Sequence, residues 1–170
     1  MPEVPKDIKA YQERFFTQLR QSLANIETIA RDGKVSMAAA LIAVGRLKPF
    51  TEHINQAHHE ALCFIAVQWL QNIYKDLEWS WQPTSTGAKD EADVEGRDND
   101  GTLVVAAECS ASIAAKGALR KRMNSTLEKL SELPANHKYY FVATEAMTSA
   151  AENRVKKIGY SIIVKQLPVT

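Results

Sequence analysis

The chain has 170 residues, which is enough for one domain and too few for two domains of ordinary size. Apolar residues make up 45% of it and charged residues 24%, which are ordinary values for a soluble globular protein. The net charge of +1 gives no general polycation signal for nucleic acid, and no apolar run approaches the ~20 residues that span a bilayer.

The first 50 residues are predicted to form helices that precede the main fold. Apolar residues at steps of three and four indicate an amphipathic helix from about Asp7 to Arg31, and a shorter helix from Ser36 ends before Pro49. The apolar stripe of the first helix has to be buried against another surface. The sequence leaves two alternatives: the helix packs on the core, or it forms a homodimer interface. We expect one domain, with residues 1–50 as a helical addition and 51–170 as the core.

A third helix, from Thr51 to about Asp76, is apolar around much of its circumference, so it is predicted to be central and buried. His58, His59 and Glu60 on this helix lack the spacing of a zinc protease, in which two histidines stand four residues apart around a glutamate. We therefore expect the histidine pair at the surface or behind a site.

Two features of the sequence indicate its compartment. The N-terminus lacks the charged-then-apolar pattern of a signal peptide. Cys63 and Cys109 each lie in an apolar run, so they are expected to be small core residues without a disulfide. We therefore expect a cytoplasmic protein.

The pattern changes to short strands after the third helix. Two extended segments are predicted at Trp79–Gln82 and Glu91–Arg97, and an almost wholly apolar strand at Thr102–Cys109. Between the last two, Asp98-Asn99-Asp100-Gly101 is typical of a hairpin turn, because Asn, Asp and Gly tolerate positive φ angles.

The rest of the chain alternates helices and strands. A helix from about Ala114 to Leu133 has a predicted buried stripe of Leu119, Met123, Leu127 and Leu130. The remaining predicted elements are a strand at Lys138–Ala143, a helix capped by Thr148 or Ser149 and closed by Gly159, and a strand at Tyr160–Val164. This order implies parallel pairing, so we expect an α/β fold with a central mixed sheet of about five strands and helices on both faces.

Two carboxylates fall on neighbouring strands of the predicted hairpin. Asp93 begins the second strand, and Glu108 shares one face with Ser110 at the end of the third. A glutamate at the end of an apolar run is costly if it is buried, ionised and alone, so it needs a metal or a cationic partner. Since carboxylate oxygens are the ligands that Mg²⁺ prefers, Asp93 and Glu108 predict a divalent-cation site.

The charge distribution is compatible with such a site. Residues 1–85 have no net charge, residues 86–108 have a net charge of −5, and residues 109–170 have a net charge of +6. An acidic cluster followed by a basic segment suits a cation site flanked by groups that hold a phosphate backbone. The alternative is that turns collect Asp while helix surfaces collect Lys and Arg.

The pattern from about Glu52 to Val164 resembles the PD-(D/E)xK, or restriction-endonuclease-like, nuclease superfamily. Members place an Asp near the start of the second strand, here Asp93, and Glu-x-Lys in the third, here Glu108-Cys109-Ser110. They often add an acidic residue from the preceding helix, for which Glu60 is the candidate. The resemblance implies hydrolysis of phosphodiesters in DNA, with Mg²⁺ or Mn²⁺ held by these three acids.

Ser110 stands where the family has a lysine, and it carries no positive charge. Three explanations are open. The lysine has moved, to Lys116 or Lys121 on the following helix or to Lys89 before the second strand; Ser110 itself positions water or metal; or catalysis has been lost.

The helix after the motif is basic. Lys116 and Arg120 are one turn apart and, with Lys121, are candidates to bind a phosphate backbone, whereas the alternative is a solvated helix surface. The sequence therefore leaves three functions open. The first is a Mg²⁺-dependent deoxyribonuclease of restriction or genome-defence type. The second is an inactive protein of the same fold that binds nucleic acid or a protein partner, and the third is a structural α/β domain whose acids are turn residues.

Overall fold

The computed structural model describes residues 37–82 and 91–168, together with residues 9–10, 12–14, 16–17, 20–21 and 23–24. These residues belong to two compact units, one of which ends at His58 while the other begins at His59. The second unit contains every strand in the described ranges, and the candidate site lies within it.

Helices and strands follow the predicted order from the first strand onward. The helices are α1 (Met37–Ile73), α2 (Gly117–Glu132) and α3 (Glu145–Ile158). The strands are β1 (Glu78–Trp81), β2 (Val94–Arg97), β3 (Leu103–Ser110), β4 (His137–Val142) and β5 (Ile163–Gln166).

The strands form one open sheet in the order β1-β2-β3-β4-β5. The first three pair antiparallel, whereas β3, β4 and β5 pair parallel because helices α2 and α3 return the chain to the same end of the sheet. The predicted α/β class, with a mixed sheet of five strands flanked by helices, is confirmed.

The tight turn between β2 and β3 forms where Asp98-Asn99-Asp100-Gly101 predicts it. Asp98 Oδ1 accepts hydrogen bonds from the backbone N–H of Asp100 at 3.1 Å and of Thr102 at 2.9 Å. Gly101 has a φ of 78°, a left-handed value that glycine adopts without steric cost. The turn begins the pairing of β2 with β3, and after a register shift between Gly96 and Arg97 the start of β2 lies beside the end of β3, with Val94 opposite Ala107.

The two faces of β3 carry different chemistry, because successive side chains of a strand alternate. On one face, Cys109 lies beside Phe141 of β4, and Trp69 of α1 packs edge-on against that ring with centroids 5.6 Å apart. On the other face, Glu108 lies beside Tyr140, which belongs to a buried cluster with side chains of α2 and α3. The C-terminal part of α1 therefore covers one face, and α2 and α3 cover the other.

Two predictions about helix boundaries are wrong. Helix α1 continues through Pro49, where a break was expected. Proline in a helix interior costs about 3 kcal/mol relative to alanine, and the stability of the helical turns on both sides offsets this cost. Thr144 is the N-cap of α3, and its side chain accepts from the backbone N–H of Met147 at 3.3 Å. Neither Thr148 nor Ser149 is the cap, because Thr144 supplies the same oxygen one turn earlier.

The predicted stripe of α2 is buried only in part. Met123, Leu127 and Leu130 are buried as predicted, with exposed fractions of 3%, 0% and 0%. Leu119 is 41% exposed, so its predicted burial is wrong. It lies in the first turn of α2, and the stripe enters the core only from Met123 onward.

The described residues between 9 and 24 are helical, as predicted for Asp7–Arg31, and Leu23 of the predicted apolar stripe is 52% exposed. The rest of that predicted helix lies outside the described residues, and a homodimer through it stays a prediction. None of the helices in the described part of the chain is long and apolar enough to cross a membrane.

Candidate active site

Asp93 stands immediately before β2, where it contacts the end of β3 and helix α1. Its Oδ2 accepts a hydrogen bond from the backbone N–H of Cys109 at 2.8 Å, which ties it to the end of β3. Its Oδ1 lies 3.6 Å from Nε2 of His59 on α1, and its side chain is 15% exposed. The backbone of a neighbouring strand therefore orients this carboxylate, and solvent still reaches it.

Glu108 is the second predicted carboxylate, and the structure brings it to Asp93. The two side chains lie close enough for the charge of Asp93 to act on Glu108 and to disfavour a second negative charge. Burial, and next the charge of Asp93, raise the pKa of Glu108 from 4.5 to about 7, against the opposing effect of the Lys129 ammonium. Glu108 therefore holds its proton for part of the time at neutral pH.

Lys129, in the last turn of α2, is a cation that reaches Glu108. Its Nζ lies 2.7 Å from Glu108 Oε1, and the two side chains are 28% and 8% exposed. The contact is a close ion pair, and Oε1 is otherwise a buried oxygen without a hydrogen-bond partner among the described residues. A carboxylate oxygen has a second lone pair, so Oε1 is able to accept another ligand.

Lys129 is the residue of this site that sequence reasoning missed. The sequence offers Lys116, Lys121 and Lys89 as replacements for the motif lysine, and Lys89 lies outside the described residues. Lys129 stands thirteen residues after Lys116, which is about 20 Å along a helix. The signal in the sequence is its position directly before Leu130 of the buried stripe, from where its long apolar stem can carry the ammonium inward.

Ser110 remains beside the acids as an uncharged group. It is half-buried at the end of β3, close enough to Tyr140 to affect the pKa of that hydroxyl. Burial raises the pKa of Tyr140 to about 12, and Ser110 opposes this rise. Since Tyr140 is the β4 neighbour of Glu108, the two hydroxyls and the carboxyl share one face of the sheet.

The other predicted site residues lie on helices. Lys116 is the N-cap residue of α2 and is exposed, and Arg120 and Lys121 are exposed on the same helix. Glu60 is half-buried on α1. Their assignments as phosphate contacts and as an outer metal ligand stay predictions.

A second group of donors lies on the α1 side of Asp93. His59 Nε2 is 3.6 Å from Cys63 Sγ, one helical turn later, and 3.6 Å from Asp93 Oδ1. The thiol of Cys63 is also hydrogen-bonded to that of Cys109. Both cysteines are buried, as predicted, but they take part in a polar cluster and are not inert core residues.

The charges in this group differ from those of free side chains. Burial disfavours the imidazolium, but the interactions with Asp93 and Cys63 outweigh it and raise the pKa of His59 to about 10. The hydrogen bond from Cys109, together with His59, lowers the pKa of the Cys63 thiol although burial opposes the change. A cysteine nucleophile of the Cys-His-Asp type is nevertheless excluded, because Cys63 and Asp93 contact the same ring nitrogen and Cys63 is 0% exposed.

Comparison with known proteins assigns no family. No protein-family model matches the chain, and no match to a curated protein is found. The functional proposal therefore depends on the residues and contacts above.

The raised pKa of Glu108 predicts how folding stability varies with pH. The folded state binds the proton more tightly than the unfolded state, so the stabilising contribution is complete below about pH 4.5 and is lost as the pH rises through about 7. Glu108→Gln stays neutral, so the melting temperature of the variant relative to the wild type should rise between pH 5 and pH 8. Thermal melts in chelator at four pH values measure this difference, and a difference that does not change with pH would contradict the assignment.

Proposed function

We propose that this protein is a metal-dependent deoxyribonuclease with a restriction-endonuclease-like core, in which Asp93 and Glu108 hold the cation. The observation that carries the proposal is the pairing of these two carboxyls across the β2–β3 hairpin, with Lys129 on Glu108. Two acids in contact repel each other once both are ionised, so the pair is costly unless a cation or a proton separates the charges. Lys129 offsets the charge of one of them.

The donor set suits a hard divalent cation. Asp93 and Glu108 offer carboxylate oxygens, and Glu108 Oε1 is a buried oxygen without a hydrogen-bond donor among the described residues. One or two carboxylates are enough for Mg²⁺ when substrate phosphates supply further oxygens. A bound Mg²⁺ or Mn²⁺ would supply Lewis acidity and lower the pKa of a water molecule beside the phosphodiester.

Lys129 supports the proposal because it supplies the charge that Ser110 lacks. In the resembled family the lysine follows the second acid in the same strand, whereas here an ammonium from the next helix lies 2.7 Å from that acid. A cation at this distance from Glu108 can also hold a water molecule or a phosphate oxygen by hydrogen bonds from its other N–H groups. Ser110, half-buried on the same face, offers a neutral donor for the same water.

The basic residues of α2 give a surface for the DNA backbone. Lys116, Arg120 and Lys121 are exposed near the start of the helix, where ammonium and guanidinium groups can contact successive phosphates. Such contacts position the duplex and carry no sequence information. Binding through them should weaken steeply as salt increases.

One observation favours a second candidate function, a non-catalytic protein of the same fold that binds nucleic acid or a protein partner. Lys129 already neutralises Glu108, so the chain contains its own substitute for a metal ion. In that case the acids and the lysine form a buried structural pair, and the exposed basic residues of α2 alone contact the partner.

Incubation of the protein with supercoiled plasmid DNA separates these functions. The nuclease predicts nicking or linearisation with Mg²⁺ or Mn²⁺ and none in excess chelator. Retarded migration of the DNA without cleavage would favour the non-catalytic candidate. Neither cleavage nor binding would leave a structural domain, and the proposal would be withdrawn.

The role of Lys129 predicts a specific pattern among lysine variants. Lys129→Met should reduce cleavage by at least about tenfold, because it removes a charge worth several kcal/mol at a developing anion, and Lys129→Arg should retain more activity than Lys129→Met. Lys157, exposed in the last turn of α3, is a matched control, and Lys157→Met should cleave normally. Equal rates for Lys129→Met and Lys157→Met would refute the assignment.

A further inference from the structure

A group of nitrogen, sulfur and oxygen donors lies on the opposite side of Asp93 from Glu108. It consists of His59, Cys63 and Asp93, whose donor atoms all lie within 4.8 Å of one another. We propose that these three residues form a second metal site, which binds Zn²⁺ or another borderline-soft divalent transition metal. This site shares Asp93 with the proposed nuclease site, but neither Glu108 nor Lys129 is a ligand in it.

The sequence builds this group from two elements. His59 and Cys63 are four residues apart on α1, so they lie one above the other on the same face of the helix. That face meets the sheet where β2 begins, and Asp93 stands immediately before β2 with its orientation fixed by the backbone of Cys109. The ligands therefore come from one rigid helix and one anchored strand end, which limits the movement that an ion must impose.

The distances fit a tetrahedral ion. Zinc binds histidine nitrogen at about 2.0–2.1 Å, cysteine sulfur at about 2.3 Å and carboxylate oxygen at about 2.0–2.2 Å, which places tetrahedral ligand atoms about 3.4–3.6 Å apart. His59 Nε2 lies 3.6 Å from Cys63 Sγ and 3.6 Å from Asp93 Oδ1. Two of the three edges are thus in place, and the third, between Cys63 and Asp93, needs to shorten from at most 4.8 Å.

The direct contacts among the three residues are long. His59 Nε2 lies 3.6 Å from Asp93 Oδ1, in an ion pair that is longer than an N–H···O hydrogen bond of about 2.7–3.2 Å, and it lies 3.6 Å from Cys63 Sγ. One ring nitrogen faces both groups and can direct only one proton. A metal ion that replaces this proton would contact all three donors.

The chemistry of the donors selects the ion. A thiolate and an imidazole suit Zn²⁺, Co²⁺ and Cd²⁺, whereas Mg²⁺ prefers oxygen ligands only. Cys63 is 0% exposed, but His59 and Asp93 are 14% and 15% exposed, so an ion can enter from their side. A water molecule would complete four ligands.

Binding of cobalt to the full-length, chelator-treated protein tests the site with a readout other than activity. We expect one Co²⁺ per chain, tetrahedral visible absorption, a thiolate-to-cobalt charge-transfer band in the near ultraviolet, and displacement by one equivalent of Zn²⁺ but not by excess Mg²⁺. Failure to bind cobalt stoichiometrically, or binding without the thiolate band, would overturn the proposal. This measurement uses the wild-type chain, so it does not depend on whether a variant folds.

Variants then identify the ligands. Cys63→Ser should remove the charge-transfer band. Cys63→Ser and His59→Gln should each weaken zinc affinity by at least about tenfold, because the loss of a residue that only hydrogen-bonds to a metal ligand already lowers affinity about 10–100-fold. His58→Gln changes the adjacent histidine and should bind zinc as the wild type does. Retention of the thiolate band in Cys63→Ser would refute the site. Zinc binding without DNA cleavage would leave this inference intact and refute only the nuclease.

Discussion

Glu108→Gln should reduce Mg²⁺-dependent cleavage of plasmid DNA by at least about 100-fold. The substitution keeps the shape of the side chain but replaces a ligand oxygen that carries charge with a neutral amide. Charge stabilisation by a catalytic metal is worth several kcal/mol, and each ~1.4 kcal/mol is a factor of ten in rate. Initial rates of supercoiled-plasmid loss, at saturating Mg²⁺ and equal protein concentration, measure the effect.

Two controls make this result decisive. Glu95 is also a buried carboxylate, 3% exposed, but it pairs with Arg97 at 2.8 Å on the hairpin, so Glu95→Gln should retain cleavage. The Glu108→Gln protein should melt no lower than the wild type at pH 8, because the substitution removes a buried acid whose ionisation opposes folding. Loss of activity in a stable Glu108→Gln variant therefore reflects the site. Cleavage at the wild-type rate by that variant would refute the proposed metal ligand.

The hairpin that carries Asp93 and Glu108 could be anticipated from the sequence, because the turn residues and the alternation of a strand are local features. The register that brings the two acids together could not. A register shift between Gly96 and Arg97 places Val94 opposite Ala107, and counting back from the turn alone would place Asp93 opposite Ala107 instead.

The partners of the two acids could not be anticipated in the same way. Lys129 reaches Glu108 from the far end of α2, and His59 reaches Asp93 from α1, across contacts that depend on how each helix lies on the sheet. Sequence spacing fixes which residues share a helix face but not where that face meets a strand. His59 was expected at the surface or behind a site, and it lies behind Asp93, but the spacing did not say which residue it would contact.

The strands were predictable for the same local reason, and the errors concern helix ends. Alternation and apolar runs located all five strands to within a few residues, whereas Pro49 and Thr144 show that a helix end depends on competing local costs. The assignment of the core as restriction-endonuclease-like does not follow from these local rules. It depends on the order of helices and strands and on the positions of the two acids, and it stays a proposal that the plasmid assay tests.

Asp93 connects the two proposed sites physically. One of its oxygens lies towards His59, the other accepts the Cys109 N–H, and its charge acts on Glu108. A soft ion on the α1 side would fix the orientation of Asp93 and place more positive charge beside it. The consequence is that occupancy of the His59–Cys63 site should affect how Asp93 and Glu108 bind Mg²⁺, while each site keeps its own ion preference.

Leu127→Ala should lower the free energy of unfolding by about 3–4 kcal/mol, which is a large part of the ~5–15 kcal/mol that holds an ordinary domain together. Leu127 is 0% exposed and belongs to the buried cluster that joins α2 to the sheet, with Ala106, Tyr140 and Val142. Truncation to alanine loses the transfer free energy of the buried side chain. It also leaves a cavity, because the hydrogen-bonded strands around it can move only slightly to fill the space. Urea denaturation followed by tryptophan fluorescence suits the measurement, because all three tryptophans lie between residues 69 and 81, in the same compact unit as the sheet.

Leu119→Ala is the matched control on the same helix. Sequence periodicity assigns Leu119 and Leu127 to one stripe, but Leu119 is 41% exposed in the first turn of α2. Its truncation removes less buried area and introduces a better helix former, so the loss should stay below about 1 kcal/mol. A difference of about 2 kcal/mol or more between the two variants would support the placement of α2 on the sheet. Equal losses would mean that α2 packs along its whole length, and the position of Lys129 against Glu108 would then have to be reassigned.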